Sequence, residues 1–294
     1  MPIFSRGQGQ GGSAIKMRLL IAAVIAAGAL ISYATKCEKD PHTGEWRAVA
    51  MNPEQEIALG LQAAPQMASE MGGAIDPRSS PEAGRVSAMG QKLVDAYKAR
   101  ETAYAGNFHF HLLADRENIN AFALPGGQIF ITRALYDKLQ NDAQLAGVLG
   151  HEIGHVLYRH ASEHMAKGQL GQGLVGAVAV GAGDQSAAGI ANAVNQIIQL
   201  KYGRKDESQS DTWGLENMVA AGYEPKEMIQ VMEVLKAASG RQSGPSLFAT
   251  HPNPDQRIVE IKQYIAARWP NGAPNTGPGE SLNSGNESRT RPVR

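Results

Sequence analysis

The strongest constraint in this 294-residue chain is a central helix that its apolar positions bury. From Asp142 to Met165 the pattern reads as one long helix, and Leu145, Val148, Leu149, Ile153, Val156 and Leu157 commit it to a core. The rest of the chain must therefore be arranged around it. The same stretch carries His151-Glu152-Ile153-Gly154-His155. Two histidines four residues apart stand about 40° apart around a helix, so both imidazoles face one point where a metal ion can sit. Glu152, beside the first histidine, is placed to take a proton from the water such a metal activates.

His160 and His164 repeat the spacing. On a continuous helix they point away from the first pair, so they cannot join the same metal and are expected at the surface or in outer hydrogen bonds. His109 and His111 alternate with Phe and read as structural. A catalytic metal of this type takes a third protein ligand and keeps one open position. Neither His160 nor His164 can complete the first pair's site, which argues against the three-histidine pattern. The carboxylate candidates are Asp206, Glu207 and Asp211 on a later helix. Glu207 and Asp211 share a face, so one can bind metal while the other hydrogen-bonds a ligand. Spacing alone leaves Asp206 and Glu207 open as the ligand.

Around this centre the sequence predicts a mainly helical α+β arrangement. Asn52-Pro53 and Ser80-Pro81 each start a helix, the second running to about Arg100. Residues 107–113 read as a strand, and 121–124 and 128–132 as a hairpin about Pro125-Gly126-Gly127. This gives a small antiparallel sheet before the central helix. Further helices are expected over 191–221, closed by Gly222, over 225–238, and over 254–269, where Asn253 and Pro254 look like cap and first residue. Segment 36–51 reads as a polar linker, and 270–294, with few apolar residues, as a disordered tail.

Arg6, Lys16 and Arg18 precede an apolar run, so residues 1–35 read as a signal peptide cleaved after Ala34 or as an uncleaved anchor, with membrane attachment through 19–35. Everything beyond is expected to be exported. Leu170 to Ala182 is too short an apolar run to span a bilayer. Lys plus Arg and Asp plus Glu are both 28, so no basic excess exists to displace counterions, which argues against nucleic acid as a partner. The single cysteine, Cys37, excludes an internal disulfide and a cysteine-based zinc site.

Four stretches carry a resemblance: 120–127 (Asn-Ala-Phe-Ala-Leu-Pro-Gly-Gly), 149–155, Glu207-Ser208-Gln209-Ser210-Asp211, and Thr250-His251-Pro252-Asn253-Pro254-Asp255-Gln256-Arg257. The chain resembles the HtpX and CAAX prenyl protease family of zinc metallopeptidases, and within it the soluble periplasmic branch of BepA-like and LoiP-like proteins. The resemblance implies a zincin-like metallopeptidase domain over 52–269 and one Zn2+ per chain held by His151, His155 and Glu207. It makes Asp211 a partner to a ligand, and puts His251 near the metal, as an oxyanion donor or an occupant of the open position. The family usually has Glu-x-Glu-Ala-Asp, so Gln209 and Ser210 depart from it.

The resemblance and the motif together imply a zinc metalloendopeptidase of the bacterial periplasm, soluble or tethered to the inner membrane, with Glu152 as general base and His251 assisting. Its substrates would be exported proteins that are misfolded or misassembled. The hairpin strand Ala121, Phe122, Ala123 and Leu124 is expected to pair with extended peptide substrate. The rival expectation is a non-catalytic or repressed zinc-stabilised chaperone or assembly factor of the cell envelope.

Overall fold

The computed structural model describes residues 10–182, 201–238 and 250–282. They form two compact units, one of residues 10–50 and 162–182, the other of 51–161, 201–238 and 250–282. The expected continuous unit over 52–269 is therefore interrupted: the chain from Ser162 groups with the N-terminal segment.

In the first unit, α1 (Gln10–Ala34) contains 20 residues, Ile15–Ala34, long and apolar enough to cross a membrane, a property that a signal sequence shares. The expected linker is not featureless. Strands β1 (Cys37–Lys39) and β2 (Trp46–Ala48) pair antiparallel, closed by the Asp40 carboxylate, which accepts from the backbone of His42 and Thr43.

The second unit holds the core. Helix α2 (Pro53–Glu70) starts as expected. Asn52 accepts from the Gln55 N–H at 2.8 Å while the Gln55 side chain accepts from the Asn52 N–H at 3.0 Å. Helix α3 (Pro81–Ala96) buries Val86, Met89, Leu93 and Val94 but ends four residues before Arg100, where the chain tightens into a 3-10 turn over Lys98–Glu101. Strands β3 (His109–Leu113), β4 (Ala121–Leu124) and β5 (Gln128–Thr132) form a sheet of order β3-β5-β4. The β4–β5 hairpin is antiparallel as expected, but β3 pairs with β5 in parallel, so the sheet is mixed. Gly126 and Gly127 make the hairpin turn at φ 81° and 108°, and a Cβ on Gly126 would lie 2.3 Å from the Ile57 Cα, so glycine is required there. A short helix α4 (Arg133–Tyr136) leads to the central one.

The predicted single helix over 142–165 is broken. Helix α5 (Asp142–Leu157) is buried along its whole length, and α6 (His160–Ala182) begins after a kink. Arg159 occupies the left-handed region at φ 55°, which costs roughly 1 kcal/mol for a non-glycine residue. Its guanidinium offsets that cost against the buried Glu56 carboxylate at 3.0 Å and the Met51 carbonyl. No periodicity signals a break whose cause lies about a hundred residues away.

Of the helix expected over 191–221, residues 183–200 lie outside the described residues. What is described is α7 (Arg204–Ala220), opened by Asp206, whose carboxylate accepts the Gly203 N–H at 2.8 Å, and closed by Gly222 at φ 86°. Helix α8 (Glu227–Ala238) comes next, then α9 (Pro254–Arg268). Asn253 does not cap α9 through its side chain; it sits in the left-handed region at φ 63°, and Pro254 opens the helix alone.

The expected disordered tail is corrected as far as Leu282. The free N–H groups at the start of α5 find partners there: Asp142 donates to the Glu280 carbonyl at 3.0 Å and Ala143 to the Pro278 carbonyl at 2.9 Å. The Asp142 carboxylate accepts the Glu280 N–H in return, and Leu282 donates to the Gln140 carbonyl. These are backbone contacts, to which an apolar count is blind. Residues 283–294 lie outside the described residues.

Candidate metal centre

Small residues let α5 and α7 approach closely. A Cβ on Gly154 would fall 2.9 Å from the Ser210 Cα, and one on Gly214 would fall 3.1 Å from the His151 backbone nitrogen. One turn before Ser210, this contact brings the Glu207 carboxylate over the two histidines. His151 Nε2 and His155 Nε2 stand 3.0 Å apart, and Glu207 has an oxygen 3.5 Å from each. His251 completes the group, its Nδ1 2.9 Å from Glu207 Oε1 and 3.3 Å from His151 Nε2. Ligand atoms from these four buried residues all lie within 4.8 Å of one another.

The helix start separates Asp206 from Glu207, the two carboxylates that spacing left open. Asp206 is spent on capping α7, while Glu207 enters the group. Asp211, one turn on, accepts at 2.8 Å from His151 Nδ1. A carboxylate can only accept, so His151 carries its proton on Nδ1 and presents the Nε2 lone pair to the group. That lone pair faces a carboxylate oxygen, acceptor against acceptor. His251 Nε2 is also buried without a hydrogen-bond partner. A cation reconciles all of these, so the residues fit a metal ion.

Sequence reasoning missed Arg257. Its guanidinium grips Asp211 (Nε–Oδ2 2.8 Å, Nη2–Oδ1 2.6 Å) and lies 2.7 Å from Glu207 Oε2. The available signal was a charge on the apolar stripe of α9, whose other buried positions are Ile258, Ile261 and Ile265. Burial alone would raise both carboxyls; Arg257 and His151 at Asp211, and His251, Arg257 and His155 at Glu207, together outweigh it, so both are held below the usual range. Tyr202 was missed as well. Its ring stacks on His155 at 4.0 Å, and its N–H donates to the Thr250 carbonyl, which anchors the segment carrying His251.

Glu152 is buried, with Oε1 3.8 Å from His251 Nε2 and Oε2 unpartnered. Burial pushes its carboxyl upward. Next to it, Val148, Met228, Val231, Met232 and Leu235 line an apolar recess that His251 and Arg257 also border. His160 is not where a continuous helix would put it. After the Arg159 kink it is fully buried, with Nδ1 2.9 Å from His155 Nδ1. His111 is half-buried against Gln128 and Phe130, and His109 is exposed. The expected substrate strand, Ala121–Leu124, is β4. Among the described residues it is an edge strand that pairs with β5 alone; Ala121, Ala123 and Leu124 are buried and Phe122 is partly exposed.

A mainly helical α+β zincin-like fold, with an HExxH helix crossed by a glutamate-bearing helix at a buried metal-binding group, defines a metallopeptidase. The chain belongs to peptidase family M48, whose profile matches residues 80–265. It is similar to the beta-barrel assembly-enhancing protease of Yersinia pestis, 29% identical over 234 residues that cover 76% of this chain and 46% of the relative. Its counterpart in Escherichia coli (strain K12) is 26% identical over 254 residues, covering 83% and 50%. The mitochondrial metalloendopeptidase OMA1 of Schizosaccharomyces pombe is 26% identical over 251 residues, covering 85% and 72%. The chain thus spans about half the length of the beta-barrel assembly-enhancing proteases it matches.

Proposed function

We propose that this chain is a zinc-dependent metalloendopeptidase of the BepA-like branch, acting on misfolded or misassembled exported proteins in the bacterial periplasm, with α1 as signal or inner-membrane tether. The observation that carries the reading is the convergence of His151, His155 and Glu207 beside a buried Glu152 with a free oxygen. Two imidazoles and one carboxylate are a donor set that suits Zn2+.

His151, His155 and Glu207 would hold Zn2+, which would supply Lewis acidity to the attacking water and the scissile carbonyl. Glu152 accepts the proton of the attacking water and delivers it to the leaving amine; its upward-shifted carboxyl suits both halves of that task. Asp211 holds His151 in the ligating tautomer, and Arg257 holds Asp211. Strand β4, at the edge of its sheet, is the strand that would pair with an extended peptide and align it. The test is cleavage of casein or a quenched peptide: activity lost to a chelator, restored by Zn2+, and reduced by about 10²- to 10⁴-fold in Glu152→Gln with zinc retained supports the reading. Unchanged turnover in that variant sinks it.

A second reading is favoured by the position of His251 inside the ligand group. As a fourth ligand it closes the site, and the resting protein is then a repressed or non-catalytic assembly factor of the envelope.

A further inference from the structure

Among the described residues, His160 is the buried histidine beside the ligand group that the proposed chemistry leaves idle. Its Nδ1 is 2.9 Å from His155 Nδ1, and its Nε2 is 3.1 Å from Gln209 Oε1. Two weaker neighbours lie close by: Ser210 Oγ at 3.5 Å from Nδ1, and Asp206 Oδ1 at 3.9 Å from Nε2. Both rings are clamped, His160 against Tyr158 (centroids 5.6 Å, interplanar 15°) and His155 against Tyr202.

These contacts form a chain with one direction. An amide oxygen only accepts, so the His160 proton lies on Nε2, facing Gln209. His160 Nδ1 then carries a lone pair, and a nitrogen 2.9 Å away must supply the hydrogen, which puts the His155 proton on Nδ1. His155 Nε2 is left with its lone pair, aimed at His151 and Glu207. Were the relay reversed, His155 Nε2 would carry a hydrogen and could not bind a cation.

We propose that Gln209 and His160 are positioning residues, a two-step tautomer relay that holds His155 ready to ligate metal; the proposal rests on the metal reading above. His151 is set by a carboxylate, Asp211, while His155 is set by a second imidazole backed by an amide. The residue at 209, where the chain departs from the Glu of the family pattern, is the terminus of the relay. A carboxylate there is also an acceptor and sustains the same tautomers; an apolar side chain does not.

The test uses the full chain with 15N-labelled histidine, read by long-range 15N–1H spectra, together with Zn2+ affinity from chelator competition. The parent should show His160 protonated on Nε2 and His155 on Nδ1, before and after Zn2+ is added. Gln209→Met and His160→Phe should bind Zn2+ about 10- to 100-fold more weakly. Gln209→Glu should restore affinity to within about threefold of the parent, which loss of packing alone would not produce. Should His160→Phe fail to fold, Gln209→Met and the parent spectra still decide. A His160 proton on Nδ1, Gln209→Met binding within twofold of the parent, or Gln209→Glu binding as weakly as Gln209→Met would each overturn the relay. A parent that takes up no Zn2+ would instead overturn the metal reading, and its metal-free tautomers would still judge the relay.

Discussion

Arg257 and Asp211 form a buried two-pronged ion pair, Nε to Oδ2 at 2.8 Å and Nη2 to Oδ1 at 2.6 Å. Forty-six residues separate them in the chain. The pair joins α9 to α7 and lies directly behind His151.

Removing one partner of a buried pair strands the other's charge. Arg257→Met should therefore destabilise the metal-free protein by about 3–5 kcal/mol, measured by urea unfolding. Arg257→Lys should recover little of this, because an ammonium cannot reproduce the two-pronged contact. A loss below about 1 kcal/mol in Arg257→Met would mean that the pair contributes nothing net.

Metal content separates the two acidic neighbours. The purified chain should hold close to one zinc, lost in His155→Ala and in Glu207→Ala. Asp206→Ala should keep the zinc and show only the weakening of a lost helix cap, roughly 1 kcal/mol. The opposite pattern would show that Asp206 is the ligand.

His251 stands within the ligand group, so His251→Ala should raise peptide turnover by vacating a position that water needs. Steady-state assays at matched zinc content check the sign. A loss of roughly a hundredfold would make it an oxyanion donor, and a change within twofold would give it neither role.

Hydrogen bonds from Ser80 and its own backbone, with Arg133 beyond them, lower the Glu82 carboxyl from 4.5 to about 2. A carboxyl lowered on folding stabilises the native state above the unfolded value and loses that contribution as pH falls through the folded value. Glu82→Gln should thus cost stability at pH 7, by under about 1 kcal/mol for so exposed a group, and the gap to the parent should close between pH 4.5 and 2. Thermal melts of both proteins across that range measure it; a gap independent of pH would remove the carboxylate from the account.

What could be read from the sequence was whatever depends on neighbours in the chain. Asn52, Ser80 and Gly126 act on residues within a turn or two, and the elements they start or close lie close to where periodicity put them. The four-residue spacing of His151 and His155 is likewise local, and so is that of Glu207 and Asp211. The failures share a different cause. The kink at Arg159 is held by Glu56 and Met51, the order of residues 270–282 by the start of α5, and the parallel run of β3 by the second strand of the hairpin. His160 was misplaced only because the kink was unseen. Arg257 was legible in retrospect as a lone charge in an isoleucine stripe, a pattern with meaning only once α7 lies opposite.

The segment from His251 to Arg257 has little freedom of its own. Pro252 and Pro254 each fix a backbone torsion, and Asn253 between them rests in the left-handed well. Seven residues so constrained behave as a rigid arm on the end of α9, carrying an imidazole at one end and a guanidinium at the other. Withdrawing His251 from the ligand group should therefore tug on the charge beside Asp211 and Glu207, tying the two ends of the arm together.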